Sequence, residues 1–465
     1  MSWSLFYMKY MSRNYEKSLR ILLMGIGLFI LCLAFYQVWI KCYNPMIRLP
    51  FYRRGNYMFT LMYGAILLVC VLVMKGNTLG QAHLAEVTIS QCIALTMTSV
   101  IVYFPMSLLQ YELLNPWPLL LLMLGQWGLI VLWNLISNRI YFKLVPPVRV
   151  LLIWDGKAGR KIAEKLAAIP QRYRVEGEVS IREGREAIRK AMQGYDAILL
   201  CVKDDEWRGW IVRLCFKKNM QLFIAPTLTD VIVNSAKEVH RIDTPMLCST
   251  DHKLTIEERA IKRVMDIVCA VIALVISSPV LIITAMAIKL CDGGPIFFRQ
   301  ERLTRDGKVF KIIKFRSMIV DAEKHGQRLA SEHDDRITPV GKVIRKLRID
   351  EFPQFFNVLK GDMSLVGPRP ECPSIAKEYE KWLPDFAYRL KVKAGITGYA
   401  QVYGDYATHP ADKLMMDIMY IEKSNIVLDI NLILLTVRAL FMTDKTKGKT
   451  ERQAETTTVD SEVRA

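Results

Sequence analysis

The chain reads as an integral membrane protein with an α-helical four-span N-terminal bundle, a small parallel α/β domain and a mixed, mainly α C-terminal domain that opens with a re-entrant membrane helix. Three observations predict this. Hydrophobic residues make up 52% of the 465 residues while the formal net charge is +18, a pairing that apolar spans beside basic cytosolic surfaces produce. Four long apolar runs fill the first third, and a fifth lies far downstream. Between them strand and helix patterns alternate, as in a parallel sheet with crossover helices.

The four early runs are Leu19–Ile40, Tyr57–Met74, Val87–Leu109 and Trp117–Ile136, each near the ~20 residues a helix needs to cross hydrocarbon. Trp3, Trp39, Trp117 and Trp133 lie near run ends, where interfacial aromatics belong. An even number of spans returns the chain to its starting side. Lys9, Arg13, Lys17 and Arg20 precede the first run and Arg139, Lys143 and Arg149 follow the fourth, so both ends read as cytoplasmic. The loop carrying Lys41, Arg48, Arg53 and Arg54 pulls the other way. Span centres hold almost no ionisable groups, with His83, Glu86 and Glu112 at run ends, which argues against a transporter. Residues 1–18 read as an N-terminal cytosolic segment with no cleaved signal peptide, and 19–143 as the bundle. The ten cysteines are scattered without a CxxC pair, against a zinc site or disulfide framework.

Pro146-Pro147 ends the membrane pattern. Residues 144–248 then read as an α/β domain, with strands at Val148–Trp154, Tyr195–Val202 and Met220–Ala225. The turn Asp155-Gly156-Lys157-Ala158-Gly159 holds only GxxG, short of the dinucleotide fingerprint, and no confirming acidic residue follows. A scaffold or oligomerisation role is therefore preferred to cofactor binding.

The fifth run, Val264–Leu290, is long enough to span, but Ser277-Ser278-Pro279 sits at its centre. Proline removes an amide donor and disfavours helical geometry at Ser278, and serine hydroxyls can satisfy the freed carbonyls. A full crossing would also put the remainder of the chain on the face opposite the α/β domain. A helix that dips in and returns avoids this, and makes Arg259, Lys262, Arg263 and Lys289 anchors at one headgroup layer. Gly293-Gly294-Pro295 then turns the chain away, leaving Arg299 and Gln300 near the headgroups.

Three dense blocks follow: Asp292–Arg302, Lys314-Phe315-Arg316-Ser317-Met318, and Leu347–Pro370, which reads LRIDEFPQFFNVLKGDMSLVGPRP. Asp350-Glu351 places two carboxylates side by side, best kept ionised by a divalent cation or by arginines such as Arg345, Arg348 and Arg369. A carboxylate can also attack phosphorus, dividing one displacement into two. Lys314 and Arg316 alternate with apolar residues, so a strand would put both on one face toward a diphosphate. His325, His333 and His409 are isolated and read as surface histidines.

In order and content these blocks resemble the catalytic domain of the monotopic phosphoglycosyl transferases, the polyprenyl-phosphate hexose-1-phosphate transferases that begin exopolysaccharide or capsule repeat units. With the four spans and a Rossmann-like α/β insert, the resemblance extends to the large bacterial form. It implies a catalytic domain over 249–443, with the re-entrant helix at 264–290 broken at Ser278 and Pro279. It implies Asp350 as nucleophile, Glu351 (with Asp350) as ligand of Mg2+, Lys314 as an active-site residue, and Arg345, Arg369, Arg316, Arg299 and Gln300 as phosphate- or substrate-binding groups. The family's essential acidic residue matches Asp417 best, with Asp412 as competitor. The implied partners are a UDP-sugar (UDP-glucose as the first choice, UDP-galactose as the alternative), undecaprenyl phosphate and the bilayer, with no nucleic acid and a homodimer left open. The implied place is the bacterial inner membrane, with the catalytic domain on the cytosolic face. A direct ternary-complex transferase and an inactive scaffold of the assembly machinery are the rivals. Ile426–Met442, interrupted by Asp429, Asn431 and Arg438, reads as an amphipathic interfacial helix, and residues 444–465 as a disordered tail.

Overall fold

The computed structural model describes residues 2–156, 158–167, 169–239, 244, 246–248, 254–320, 334, 336–404 and 408–440. His325, His333 and the tail 444–465 lie outside the described residues. The chain forms two compact units, Met1–Thr227 and Leu228–Ala465.

The first unit begins with α1 (Ser2–Val38), α2 (Arg53–Val73), α3 (Leu84–Gln110) and α4 (Trp117–Leu144), each long and apolar enough to cross a membrane. With no proline or glycine in its first twenty residues, α1 starts well before the apolar run, and helix propensity carries it through the basic stretch. The helices interlock through buried polar groups as well as apolar packing. Tyr63 donates to Gln126 Oε1 at 3.2 Å, and Gln126 Nε2 donates to the Leu31 carbonyl at 2.9 Å. At one end Tyr43 donates to the Asn115 carbonyl at 2.9 Å. At the other, Tyr141 donates to Glu16 at 2.8 Å, and Arg172 of the α/β domain donates to the Gly80 carbonyl at 2.5 Å. Gly80 has φ +71°, and a Cβ there would stand 2.1 Å from the Tyr141 ring, so only glycine allows that approach. The N-terminal end of the bundle and the α/β domain thus meet at one end, and the basic loop with Lys41 and Arg48 lies at the other.

The α/β domain runs β1 (Val148–Trp154), α5 (Ala158–Ala167), β2 (Tyr173–Ser180), α6 (Gly184–Ala191), β3 (Ala197–Cys201), α7 (Asp205–Lys217) and β4 (Gln221–Ile224). The sheet is parallel with order β2-β1-β3-β4. Leu151, Ile153, Ile198 and Leu200 pack one face, and Val150, Leu152, Ala197 and Leu199 the other. Strand β2 was not anticipated. As an edge strand it alternates half-buried and exposed residues and carries Arg174, Glu176 and Glu178, so it lacks the continuous apolar run of a central parallel strand.

The second unit begins with α8 (Leu228–Asn234), the ribbon β5 (Lys237–Val239) and β6 (Met246–Cys248), and α9 (Ile256–Asp292). The two compact units divide before α8, where Val231 joins the C-terminal core and Ser235 donates to Glu422 at 3.0 Å. Helix α9 starts with a capping box formed by Thr255 and Glu258 and ends at Gly293, φ +68°. It is buried at Asp266 and Ala270 and again at Thr284 and Ile288, and nowhere between. Its two ends are held within this unit. Asp266 accepts from Ser364 at 2.8 Å and from the Leu365 amide at 3.1 Å, while Ile288 packs with Phe315 and Ile344. Pro279 leaves the Val275 carbonyl without an amide, and Ser278 Oγ donates to it at 2.8 Å.

There follow β7 (Phe297–Leu303), β8 (Val309–Phe315), α10 (Pro339–Lys346), α11 (Gln354–Lys360), β9 (Ser364–Val366), α12 (Pro373–Trp382), β10 (Gly395–Thr397), α13 (Tyr399–Tyr403), α14 (Pro410–Lys423) and α15 (Ile426–Leu440). β7 and β8 are antiparallel; β9 and β10 are parallel. The interfacial reading of the last helix needs correction in one respect: α15 turns its charges inward. Asp429 is buried, ion-paired with Lys262 and hydrogen-bonded by Tyr420 at 2.8 Å, while Val427, Ile430 and Val437 face out. The pairing offsets the burial cost that the isolated sequence made prohibitive.

Candidate active site

The β7–β8 ribbon carries Lys314. Its free edge is covered by Asn357 of α11, whose Oδ1 accepts from the Ile313 amide at 2.9 Å and whose Nδ2 donates to the Lys311 carbonyl at 2.8 Å. One side chain thereby replaces a strand partner and fixes the ribbon against the segment bearing Asp350 and Glu351. Lys314 pairs with Phe298, Ile312 with Gln300 and Phe310 with Arg302, so Gln300 and Arg302 share the Lys314 face. Arg299 pairs with Ile313 and lies exposed on the opposite face.

Helix α10 starts at the cap Thr338, whose Oγ1 accepts from the Gly341 amide at 2.9 Å. A Cβ on Gly341 would stand 2.0 Å from the Ser317 carbonyl, so glycine lets α10 close onto the chain just beyond β8. After Arg345 in the last turn, Arg348 takes φ +56°, a left-handed conformation that costs a non-glycine residue roughly 1–2 kcal/mol. The bend delivers a single 3₁₀ turn, Ile349–Glu351, and Pro353 then caps α11. Ile349 packs against the cluster formed by Ile288 of α9 with Phe315 and Ile344, which Leu281 and Ala285 also join, and this sets the two carboxylates near the end of the apolar helix.

Glu351 accepts from Arg369 at 3.0 Å, with Lys314 Nζ at 3.5 Å and Arg348 at 4.0 Å. Burial works to raise its pKa, but Arg369, Lys314 and Arg348 together outweigh burial and hold it at about 2. Asp350 goes the other way: burial and then the charge of Glu351 raise it, against the opposing pull of Lys314, Arg345 and Arg348. Among the described residues Asp350 forms no ion pair. Burial lowers Lys314, with Glu351 opposing. Adjacent carboxylates with opposite shifts amount to one permanent anion and one carboxylate whose charge remains available.

Arg369 belongs to the turn Gly367-Pro368-Arg369-Pro370. Gly367 donates to the Thr397 carbonyl at 2.8 Å and Gly395 to the Pro368 carbonyl at 2.9 Å. A Cβ on Gly367 would lie 2.3 Å from the Lys393 carbonyl. The glycines of both motifs therefore serve a close backbone approach that anchors the turn.

The structure thus gathers Lys314, Asp350, Glu351 and Arg369, with Arg345 acting on Asp350 through space. Other expected residues stand apart. Arg316 is buried and ion-paired with Asp292 at the end of α9, and a Cβ on Gly294 would overlap its guanidinium. The expected shared face for Lys314 and Arg316 therefore resolves into two different partners, Glu351 and Asp292. Asp417 is 1% exposed and makes its ion pair with Arg389, 2.8 Å away. Burial first, with Glu371 adding, raises it to about 6 despite Arg389 and Lys413. Its competitor Asp412 lies in the first turn of α14. His409 caps the same helix, accepting from the Ala411 amide at 3.3 Å. Asn357 and Arg389 were not anticipated. Nothing in their local sequence marks them, because their partners come from other elements.

Residues 257–443 match the model of a family described as bacterial sugar transferase. The chain is 40% identical over 188 residues to a UDP-glucose:undecaprenyl-phosphate glucose-1-phosphate transferase of Caulobacter vibrioides, covering 39% of this chain and 70% of that protein. The chain belongs to the bacterial sugar transferase family. It is also 39% identical over 253 residues to a UDP-N-acetylgalactosamine-undecaprenyl-phosphate N-acetylgalactosaminephosphotransferase of Aeromonas hydrophila, covering 53% of this chain and 59% of the relative. Identity is 40% over 198 residues to a UDP-glucose:undecaprenyl-phosphate glucose-1-phosphate transferase of Escherichia coli strain K12, covering 42% and 43%. The matches thus span about half the length of these last two relatives. The matched stretch takes in all but the first residue of α9, with the carboxylate turn and the Arg369 turn.

Proposed function

We propose that the chain transfers a hexose 1-phosphate from a UDP-sugar to undecaprenyl phosphate, releasing UMP and starting an exopolysaccharide or capsule repeat unit. The observation that carries this is the placement of Asp350 and Glu351 amid Lys314, Arg345, Arg348 and Arg369, next to Ile349, which packs in one cluster with Ile288 of the apolar helix α9. A cationic pocket suits the diphosphate of the donor, and the neighbouring apolar helix suits a lipid-borne phosphate. In the proposed first step Asp350 attacks the sugar-bearing phosphorus, the bond to UMP breaks, and the phosphosugar is held as an acyl phosphate. A phosphate oxygen of undecaprenyl phosphate then attacks the same phosphorus and frees the carboxylate. Lys314 and Arg369 neutralise charge at phosphorus during both steps.

Asp350 and Glu351 fit Mg2+ in donor chemistry: they are adjacent oxygen donors, and Asp350 has no ion pair among the described residues. Mg2+ is commonly held by one or two carboxylates plus substrate phosphates. Those two residues would hold it, and it would supply charge neutralisation at the phosphates.

The proposal places the catalytic unit at the cytosolic face of the inner membrane, with α9 as a re-entrant helix. Its two ends pack on the same unit while the stretch 271–280 has no buried residue, which supports a dip and return. Cys291, exposed one residue beyond Leu290, tests this in a variant lacking the other cysteines. Labelling of intact cells by an impermeant maleimide should fail before lysis and succeed after it; labelling before lysis overturns the hairpin.

UDP-glucose is the proposed donor, and the N-acetylgalactosamine relative supports testing acetylated sugars alongside it. Purified protein is incubated with undecaprenyl phosphate, Mg2+ and each of UDP-glucose, UDP-galactose and UDP-N-acetylgalactosamine. Release of UMP with at least one donor is expected; release with none, from folded protein, removes the reading.

A further inference from the structure

Arg389 lies in the 3₁₀ stretch Pro384–Lys391 and is 4% exposed. Its Nη2 donates to the backbone carbonyl of Arg369 at 2.8 Å and also stands 2.8 Å from Asp417 Oδ2 on α14. Its Nη1 lies 3.5 Å from Glu371 Oε1, and its guanidinium covers the Phe386 ring at 4.9 Å. A guanidinium is buried at considerable cost unless it is paired, and here both pairing carboxylates come from other segments. The carbonyl it grips belongs to the residue whose own guanidinium binds Glu351 at 3.0 Å. The neighbouring Pro370 carbonyl is held by Arg302 at 3.2 Å and the Glu371 carbonyl by the Leu303 amide at 2.9 Å. Of these ties, Arg389 is the one that connects the turn to α14.

We propose that Arg389, held in place by Asp417, is a positioning residue: by gripping the Arg369 carbonyl it fixes where the Arg369 guanidinium meets Glu351 and the incoming phosphate. This rests on the reading of Arg369 as a phosphate-holding group. It gives Asp417 a part in the reaction from a buried place, through Arg389 and the backbone of residue 369, without contact with substrate. Because the link runs through a backbone atom, it controls the direction of the Arg369 side chain and leaves its charge unchanged.

The test uses full-length protein and the double variant Arg389→Met with Asp417→Asn, which removes both buried charges together and leaves neither one orphaned. Reaction of Arg369 with phenylglyoxal is followed by peptide mass spectrometry, with Arg160 of the α/β domain as internal reference. The Arg369-to-Arg160 labelling ratio should change at least threefold in the double variant, and Arg389→Lys, which keeps one donor, should restore most of the wild-type ratio. In the UMP-release assay kcat should fall by up to about 10²-fold, the scale of a small misplacement of a catalytic group, with little change in KM. Adding Arg369→Lys to the double variant should cost no more than Arg369→Lys alone, since both act through one side chain. An unchanged labelling ratio, or losses that multiply, overturns the proposal. Should the double variant fail to fold, Asp417→Asn alone decides: it removes the carboxylate that holds Arg389, and a wild-type labelling ratio with wild-type kcat there contradicts the link. Labelling needs no turnover, so a wild-type protein that releases no UMP refutes the transfer reading while the ratio still judges this one.

Discussion

Asp155 and Asp350 each sit in a short polar turn, one after a parallel strand of the α/β domain and one after α10, and their surroundings differ in kind. The Asp155 carboxylate accepts from the Lys203 amide at 2.5 Å and ties two strand ends together. The charged groups nearby are paired at the surface, as in Arg160 with Glu178. Among the described residues Asp350 has no such backbone partner: it is partly buried and pressed by Glu351, while Arg369, Lys314 and Arg348 stand at Glu351. The contrast teaches that an aspartate in a turn becomes a candidate nucleophile when its charge is left unclaimed and its neighbours are already committed. A hydrogen bond to backbone removes it from candidacy.

The comparison breaks most sharply at Asp350 itself. Asp350→Asn should lower UMP release by at least about 10³-fold, as loss of a covalent nucleophile does, while the protein still inserts in the membrane; full activity would end the assignment. Lys314→Met should cost about 10²-fold, the usual loss of one group stabilising charge at the reacting centre, read as kcat under saturating donor.

The third prediction concerns pH. Asp350 must be ionised to attack, and its pKa is raised above the ordinary 3.8, first by burial and then by Glu351; kcat should therefore be lost as pH falls through that raised value. Lys314 must be protonated, and burial lowers it below 10.5, so activity should also be lost as pH rises through that lowered value. Glu351, at about 2, stays ionised throughout. The bell should be narrower on both sides than the ordinary values allow, and an acid limb centred at or below 3.8 contradicts the Asp350 environment. The smallest effect is expected at Asp155→Asn, which should leave UMP release within about twofold of wild type; a large loss would show that the two turns are less different than their geometry implies.

Much of this site was legible in the sequence because its parts are contiguous. The carboxylate pair, the Arg369 turn and the lysine strand each fall within a block whose residue types state the chemistry. Strands β1, β3 and β4 were legible as mainly apolar runs, and β2 was not, because its exposed positions carry Arg174, Glu176 and Glu178. The contacts that aim the groups were hidden. Asn357 reads as an ordinary helix residue until its amide is seen along the edge of β8. Arg389 and Asp417 are 28 positions apart in the numbering and meet only through the fold. Asp429 is hidden for a related reason: its partner Lys262 stands on a helix 167 positions away, so local sequence shows a buried carboxylate without its cation. Arg316 shows the same limit, since strand periodicity assigns a face but not a partner.

For the proposed transfer, the hydroxyl of Ser278 has a consequence for how a lipid-borne substrate could arrive. A proline inside hydrocarbon leaves a bare carbonyl that usually has to be answered by an adjoining helix or by water. Here the answer comes from the preceding residue of the same helix, so α9 can stand among acyl chains without a companion to shield it. An unaccompanied helix leaves its flank open to sideways diffusion, and a long prenyl tail could then follow it from the bilayer to the carboxylate turn without having to part a protein wall.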